Sequence, residues 1–311
     1  VSGDDTITKA SIQELLDEYN DVVNTGDADE LLDNEVTSAI DVLIKEREAE
    51  GEGLEWRLEE LNISVGPLRK GNFIEIAAYV ETGKTTMISS EITHMASQLE
   101  DDDYVLWINN EEEGGAVRLR SCCSALGITS DVIYRDPTTI AKQYGDILGR
   151  NNRIRIVDDA TITVAQLDKI MEKIQPKLIV IDMLDKVHGF DEVKSEVGRL
   201  QKVYQWAREK AKQYGPVIAT TQVDGTASDQ KWIAMSQLAG SRVVKQGEAD
   251  VIITVGRLVD EDPGEEDRRY LHIPKNKLPG GNRSEESERN GRWEVYIDRP
   301  IARYRGMPRR A

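Results

Sequence analysis

The run Ala78-Tyr-Val-Glu81-Thr82-Gly83-Lys84-Thr85-Thr86 has the spacing of a phosphate-binding loop whose first glycine is replaced by alanine. In such a loop, backbone amides and a helix N-terminus cradle an anion. The lysine supplies a point charge to the β- and γ-phosphates, and the following hydroxyl can take Mg²⁺. Ala78 is small enough to leave the backbone path open, so Ala78, Glu81, Thr82, Gly83, Lys84, Thr85 and Thr86 form the candidate nucleotide cradle. Downstream, Leu178-Ile-Val-Ile-Asp182 has four apolar residues followed by a carboxylate, which suits a buried strand delivering Asp182 to hold the metal with Thr85. Val105-Leu-Trp-Ile-Asn-Asn-Glu111 is a second strand ending in acid. Triphosphate hydrolysis needs a carboxylate to orient or deprotonate water, and Glu111 is the candidate. Glu112 and Glu113 compete for that role, because a Glu run also suits a helix start. Val217-Ile-Ala-Thr-Thr-Gln222 ends in an amide that can sense a γ-phosphate or simply bond at a strand end.

These residues need elements that bring them to one edge. Apolar runs predict strands at Phe73–Ala78, Tyr104–Asn109, Val132–Tyr134, Ile154–Val157, Leu178–Ile181, Val217–Thr221 and Val251–Val255. Helical spacing falls between them, at roughly 84–99, 114–126, 163–174 and 193–213. The alternation implies an α/β fold: a mainly parallel twisted sheet with helices on both faces. Tyr270–Pro274 and Arg292–Ile297 read as a C-terminal antiparallel pair. Residues 223–242 read as a mobile loop with a short helix.

The chain has 311 residues and a net charge of -17, with 39% hydrophobic and 31% charged residues. That composition can bury a core, and no stretch approaches a membrane span. The charge is regional. Residues 1–60 hold 19 acidic and 4 basic groups, whereas residues 268–311 hold 12 basic and 5 acidic. An acidic pI therefore does not exclude nucleic acid. Residues 1–53 read as an acidic helical arm and 54–311 as the main domain. The arm carries a capping-box pattern at Ser11–Glu14 and an amphipathic helix to Val23, with a second short helix at 36–48. Adjacent Cys122 and Cys123 are a poor disulfide pair, and a reducing, cytoplasmic setting is expected. A chain that opens at Val1 without Met and without a signal-peptide pattern is expected to be part of something longer.

The order of P-loop, strand plus Glu, strand plus Asp and strand plus Gln resembles the RecA-like ATPase core. The finer strings resemble the DnaB-type hexameric replicative helicases, including phage primase–helicases, over about residues 54–300. They are Ile76–Thr86, Trp107–Glu111, Arg118-Leu-Arg-Ser121, Leu178–Asp182, Thr221-Gln222, and Ser236–Ser241 with Glu248-Ala-Asp250. The last discriminates most, because it lies outside the generic ATP motifs. The resemblance implies an ATP hydrolase with ATP and Mg²⁺ as cofactors, working as a homo-oligomeric hexameric ring. It implies 5′→3′ translocation on single-stranded DNA, a primase domain or protein as partner, and a bacterial cell or phage-infected host.

In the family a neighbouring subunit contributes a Lys-x-Arg pair; here Lys275 and Lys277 occupy that place, so the finger would be lysine. Arg283 is a rival, and an ordinary basic hairpin face is the alternative. The resemblance puts DNA contacts on loops around 186–196 and 223–242, with Lys186, Lys194, Lys231 and Arg242 as candidates against a reading as solvated charges. The amphipathic arm would dock on the adjacent subunit. Two rival readings share the core: a recombinase or recombination mediator forming filaments on DNA, disfavoured by Ser236–Asp250, and a non-motor signalling or clock-type ATPase.

Overall fold

The computed structural model describes residues 39–42, 44, 53–240, 242–259, 265–279 and 285–307. The helix expected at Ser11–Val23, Ser241 and Arg283 lie outside the described residues. The chain divides into two units, 1–51 and 52–311. In the first, residues 40–42 and 44 are helical, within the helix expected at 36–48.

The second unit runs α1 (Glu59–Ser64), β1 (Phe73–Ala78), α2 (Lys84–Ala96), β2 (Val105–Asn109), α3 (Gly114–Leu126), α4 (Ser130–Arg135), α5 (Pro137–Leu148), β3 (Ile154–Asp158) and α6 (Val164–Ile174). It continues through β4 (Leu178–Asp182), α7 (Glu196–Gln213), β5 (Val217–Gln222), α8 (Arg242–Glu248), β6 (Val251–Gly256), β7 (Arg268–Asn276), β8 (Arg292–Asp298) and β9 (Arg303–Gly306). The nine described strands form one sheet in the order β3-β2-β4-β5-β1-β6-β7-β8-β9. It is parallel through β6, then antiparallel from β6 to β9.

Alternation along each central strand feeds two cores. Ile74, Ile76, Trp107, Leu178 and Val180 face Met87, Ile88 and Ile92 of α2 and Val117 of α3. Phe73, Leu106, Ile108, Ile179 and Ile181 face Leu167 and Met171 of α6 and Val203, Tyr204 and Ala207 of α7. Burying an aliphatic or aromatic side chain of this kind is worth roughly 1.5–3 kcal/mol. A run such as Leu178–Ile181, fully buried on both faces, is therefore stable only in mid-sheet.

Two expectations are corrected. Val132–Tyr134 is not a strand. It lies in α4, none of whose residues is buried. Three β-prone residues with no neighbouring strand gain nothing from extension, and Thr129-Ser130-Asp131 before them supplies helix-start residues. The segment after β5, expected as a mobile loop with a short helix, does carry short helical turns at Gly225–Ala227 and Met235–Gln237, but it is packed rather than loose. It closes a small core of its own with Val223, Ala227, Ile233 and Leu238 against Ala77, Ala249 and Ile252. The hydroxyl of Thr254 and the ring of His272 both bond the Ile233 carbonyl. Gly256 lets the segment cross, since a Cβ there would sit 2.2 Å from the Lys231 carbonyl oxygen. Among the described residues no helix is long and apolar enough to cross a membrane.

Candidate functional site

Strand register sets the site. Asn109 pairs with Asp182 and with Asp158, and Ala78 with Gln222, so the candidate residues emerge at one level at the carboxyl ends of β2, β4, β1 and β5. This is where parallel sheets bind ligands. From Ala78 the chain rises through exposed Tyr79, Val80 and Glu81, with Glu81 at φ 60. It enters α2 through Gly83 at φ 108. Only glycine serves there: beyond its left-handed backbone, a Cβ would meet Ile297 Cδ1 at 2.5 Å and Tyr304 Oη at 2.9 Å. The first amides of α2 then face outward at the positive end of the helix dipole.

Lys84 Nζ pairs with Glu111 Oε2 at 3.2 Å. The neighbouring acids are committed elsewhere. Glu112 pairs with Arg120 at 2.7 Å. Glu113 caps α3, accepting from the amides of Gly115 and Ala116 at 2.8 and 2.7 Å. Of three adjacent glutamates, Glu111 is thus the one turned to the P-loop lysine, which sequence could not decide. Asn110, unread in the sequence, is a clamp: its Nδ2 donates to the Met183 carbonyl at 3.0 Å, and its Oδ1 accepts from the Met183 amide at 2.6 Å. It thereby ties the Glu111 strand end to the Asp182 strand end.

Asp182 is wholly buried. Its two oxygens accept from hydroxyls, Thr85 Oγ1 at 3.2 Å and Thr220 Oγ1 at 2.5 Å. Burial raises its carboxyl above the usual range, while nearby Lys84 acts in the opposite direction. A desolvated carboxylate beside a threonine hydroxyl, both hard oxygen donors, fits a divalent cation that keeps waters and phosphates as its other ligands. Among the described residues no group of three or more His, Cys, Asp or Glu is arranged to hold a metal alone.

Gln222 ends β5, and its carbonyl accepts from the Ala239 amide at 3.0 Å, so the strand tip is bonded to the returning end of the 223–239 segment. Behind it lies a buried polar chain. Lys245 Nζ meets Asp185 Oδ2 at 2.6 Å, and Tyr204 Oη lies 2.9 Å from Asp185 Oδ1 and 2.7 Å from Glu75 Oε1. Tyr204 has one proton and cannot serve two carboxylates. Glu75 is fully buried, with Oε2 unpartnered, and burial pushes its carboxyl up to about 7. The consistent arrangement has Glu75 protonated and donating to Tyr204, which donates to Asp185.

Lys275 and Lys277 do not join this site in their own chain. They lie at the other end of β7, where Asn276 pairs with Val251 at the start of β6. Lys275 Nζ donates to the Gln246 carbonyl in α8 and to the Ala249 carbonyl just after it, and burial lowers its ammonium to about 8. Lys277 is exposed. Lys186 and Lys194 are exposed beyond β4, and Lys186 lines a cleft of about 680 Å³ with Asn110, Asp185, His188 and Arg199. Lys231 instead lies over the Tyr270 ring at 5.0 Å, and Arg242 pairs with Asp224 at 2.7 Å.

Residues 40–223 match a family model described as an AAA domain. Among solved structures, the ATPase domain of G40p superposes with a TM-score of 0.69 at 18% identity, covering 88% of this chain and 99% of that one. A DnaB-like replicative helicase, solved with its interactions with primase, superposes with a TM-score of 0.70 at 18% identity, covering 96% of this chain and 74% of that one. At this identity the likeness is one of fold, the RecA-like fold that the motifs anticipate. No curated protein matches it by sequence.

Proposed function

Since the chain belongs to the AAA domain family, we propose that it is an ATP-driven motor of the DnaB-like helicase kind, hydrolysing ATP between subunits of a ring and moving 5′→3′ along single-stranded DNA to open duplex. The observation that carries this reading is the Lys84–Glu111 pair at the P-loop of a DnaB-type core. Amides of residues 83–86 hold the triphosphate, and Lys84 leaves Glu111 for the β/γ-oxygens. Glu111 takes a proton from water as the water attacks the γ-phosphorus. The bond to the β,γ-bridging oxygen breaks, and its electron pair leaves with ADP. Thr85 directly, and Asp182 through water, would hold Mg²⁺, which neutralises charge on the phosphate oxygens. Gln222 senses loss of the γ-phosphate and passes it to the packed segment that its carbonyl holds. Lys277 reaches the neighbour's site, with Lys275 bracing the strand that carries it. Lys186, Lys194, Lys231 and Arg242 contact DNA phosphates, contacts that are salt-sensitive and sequence-independent. A primase fits as a partner by likeness to the helicase above.

The test is unwinding of a forked duplex with ATP and Mg²⁺, beside the Lys84→Ala variant. The motor reading requires opening that needs Lys84 and a 5′ tail. A fork that stays closed while ATP is hydrolysed on single strands refutes it in favour of a recombinase-type filament.

A further inference from the structure

Three successive carbonyls of the P-loop are held from behind by the C-terminal half of the sheet. Arg257 Nη1 donates to the Glu81 carbonyl at 3.5 Å, Arg269 Nε to that of Thr82 at 2.7 Å, and Tyr304 Oη to that of Gly83 at 3.3 Å. A peptide's carbonyl and amide point in opposite directions. The Thr82 amide donates to the Tyr79 carbonyl, but drawing the Thr82 and Gly83 carbonyls back toward β7 and β9 turns the Gly83 and Lys84 amides toward the phosphate side.

Arg269 differs from the other two. It is wholly buried, whereas the Arg257 bond is exposed and Tyr304 carries no charge. Its Nη1 donates to the Glu266 and Arg268 carbonyls at 2.8 and 2.6 Å. Its Nη2 is buried with no partner. Among the described residues no carboxylate lies within ion-pair distance of it. Burial depresses its guanidinium below the ordinary arginine range. A buried cation supported only by backbone carbonyls is costly. Neutral donors would hold the same carbonyls at less expense, so the charge needs a counter-charge from elsewhere. The Thr82 peptide it grips is one whose other side faces the phosphate cradle.

We propose that Arg269 is a positioning residue of the nucleotide site: it fixes the Thr82 peptide and lends the cradle a second, immobile positive charge behind Lys84, matched to a nucleoside di- or triphosphate. The proposal rests on reading the P-loop as a nucleotide site. No spacing in the sequence marks Arg269, which sits in an Arg-Arg pair opening a strand.

The test titrates fluorescent ADP, and separately inorganic tripolyphosphate, into the full chain and three variants, with thermal unfolding in parallel. Arg269→Gln keeps a donor and removes the charge; its affinity for both ligands falls about tenfold or more, about 1.4 kcal/mol. Arg269→Lys keeps the charge and stays within about threefold for both, although it loses the fork. Tyr304→Phe releases a carbonyl without altering charge and also stays within about threefold. Wild-type affinity in folded Arg269→Gln overturns the proposal. So does Arg269→Lys weakened as much as Arg269→Gln, which would make Arg269 a strut alone. If Arg269→Gln does not fold, Arg269→Lys decides: retained affinity supports the charge, and a tenfold loss refutes it. Wild-type protein that binds neither ligand refutes the nucleotide-site reading itself, a separate outcome.

Discussion

Glu111→Gln separates catalysis from binding with effects of opposite sign. Glu111 does two things in the proposed site: it pairs with Lys84 at 3.2 Å, and it receives the proton of the attacking water. Replacing it with Gln removes the base, for which mutational experience gives a loss in kcat of about 10²–10⁴. The same change frees Lys84, which otherwise must exchange Glu111 for phosphate oxygens. The Lys84 and Glu111 side chains are 10% and 25% exposed, so the pair is neither fully screened nor fully dry. A partly exposed ion pair is worth up to about 1 kcal/mol. Releasing it tightens ATP binding by up to about fivefold. The assay is single-turnover hydrolysis beside equilibrium titration with a fluorescent ATP analogue in Mg²⁺. A collapsed rate with equal or tighter binding supports the assignment. Near-normal kcat removes Glu111 from the chemistry and returns the role to Glu112 or Glu113. Loss of rate together with much weaker binding means that Glu111 holds the cradle's shape.

Four further outcomes are expected. Asp182→Asn abolishes Mg²⁺-dependent hydrolysis yet melts no lower than wild type, because burial already disfavours that charge; a large drop in Tm would contradict this. Glu75 has its carboxyl raised from 4.5 to about 7, so the folded chain holds a proton that the unfolded chain releases; this contribution to stability is present below about pH 4.5 and lost as pH rises through about 7. Glu75→Gln should therefore flatten part of the fall in Tm over that window, with Glu91, also raised to about 7, supplying what remains; identical profiles for the two proteins would refute it. Lys277→Ala and Lys84→Ala should each be inactive alone and regain hydrolysis when mixed, because a mixed assembly recreates one intact interface; no recovery counts against a finger supplied in trans. Arg208→Ala should destabilise by about 3 kcal/mol in denaturant unfolding, because it strands Asp250, which Arg208 grips at 2.6 and 2.7 Å.

What could be read in advance follows from how each element is stabilised. Strands buried on both faces must be apolar throughout, so Leu178–Asp182 and Val105–Asn109 announce themselves, and their polar termini stand out. The helix expected at roughly 114–126 runs Gly114–Leu126, with Glu113 capping one end and Gly127, at φ 68, closing the other. Val132–Tyr134 misled because β-propensity reports a fit to a sheet surface that is missing there. Polar composition disguised the packing of 223–239, where Val223, Ala227, Ile233 and Leu238 are buried. Arg269, Asn110 and the division of labour among Glu111, Glu112 and Glu113 depend on contacts distant in sequence, which no local pattern encodes. The short strand Arg303–Gly306 gave no signal either, although its Tyr304 touches the P-loop.

Strand β7 has its ends in two different places. Arg269, next to its first residue, grips the P-loop of its own chain; nine residues span roughly 30 Å, and Lys277 follows at the opposite end. Strand β6 flanks β7 from Tyr270 to Asn276, with a register shift between Ile252 and Thr254, and β8 pairs with its first half, Arg268–His272, so bending it costs ladder bonds and a displacement at one end is felt at the other. If Lys277 enters a neighbour's site, a shift in one P-loop as its phosphate leaves is delivered lengthwise to the next. The firing order around a ring would then be a matter of mechanical phase, set by a row of pushrods, and lengthening or softening β7 would desynchronise the engine without disabling any single cylinder.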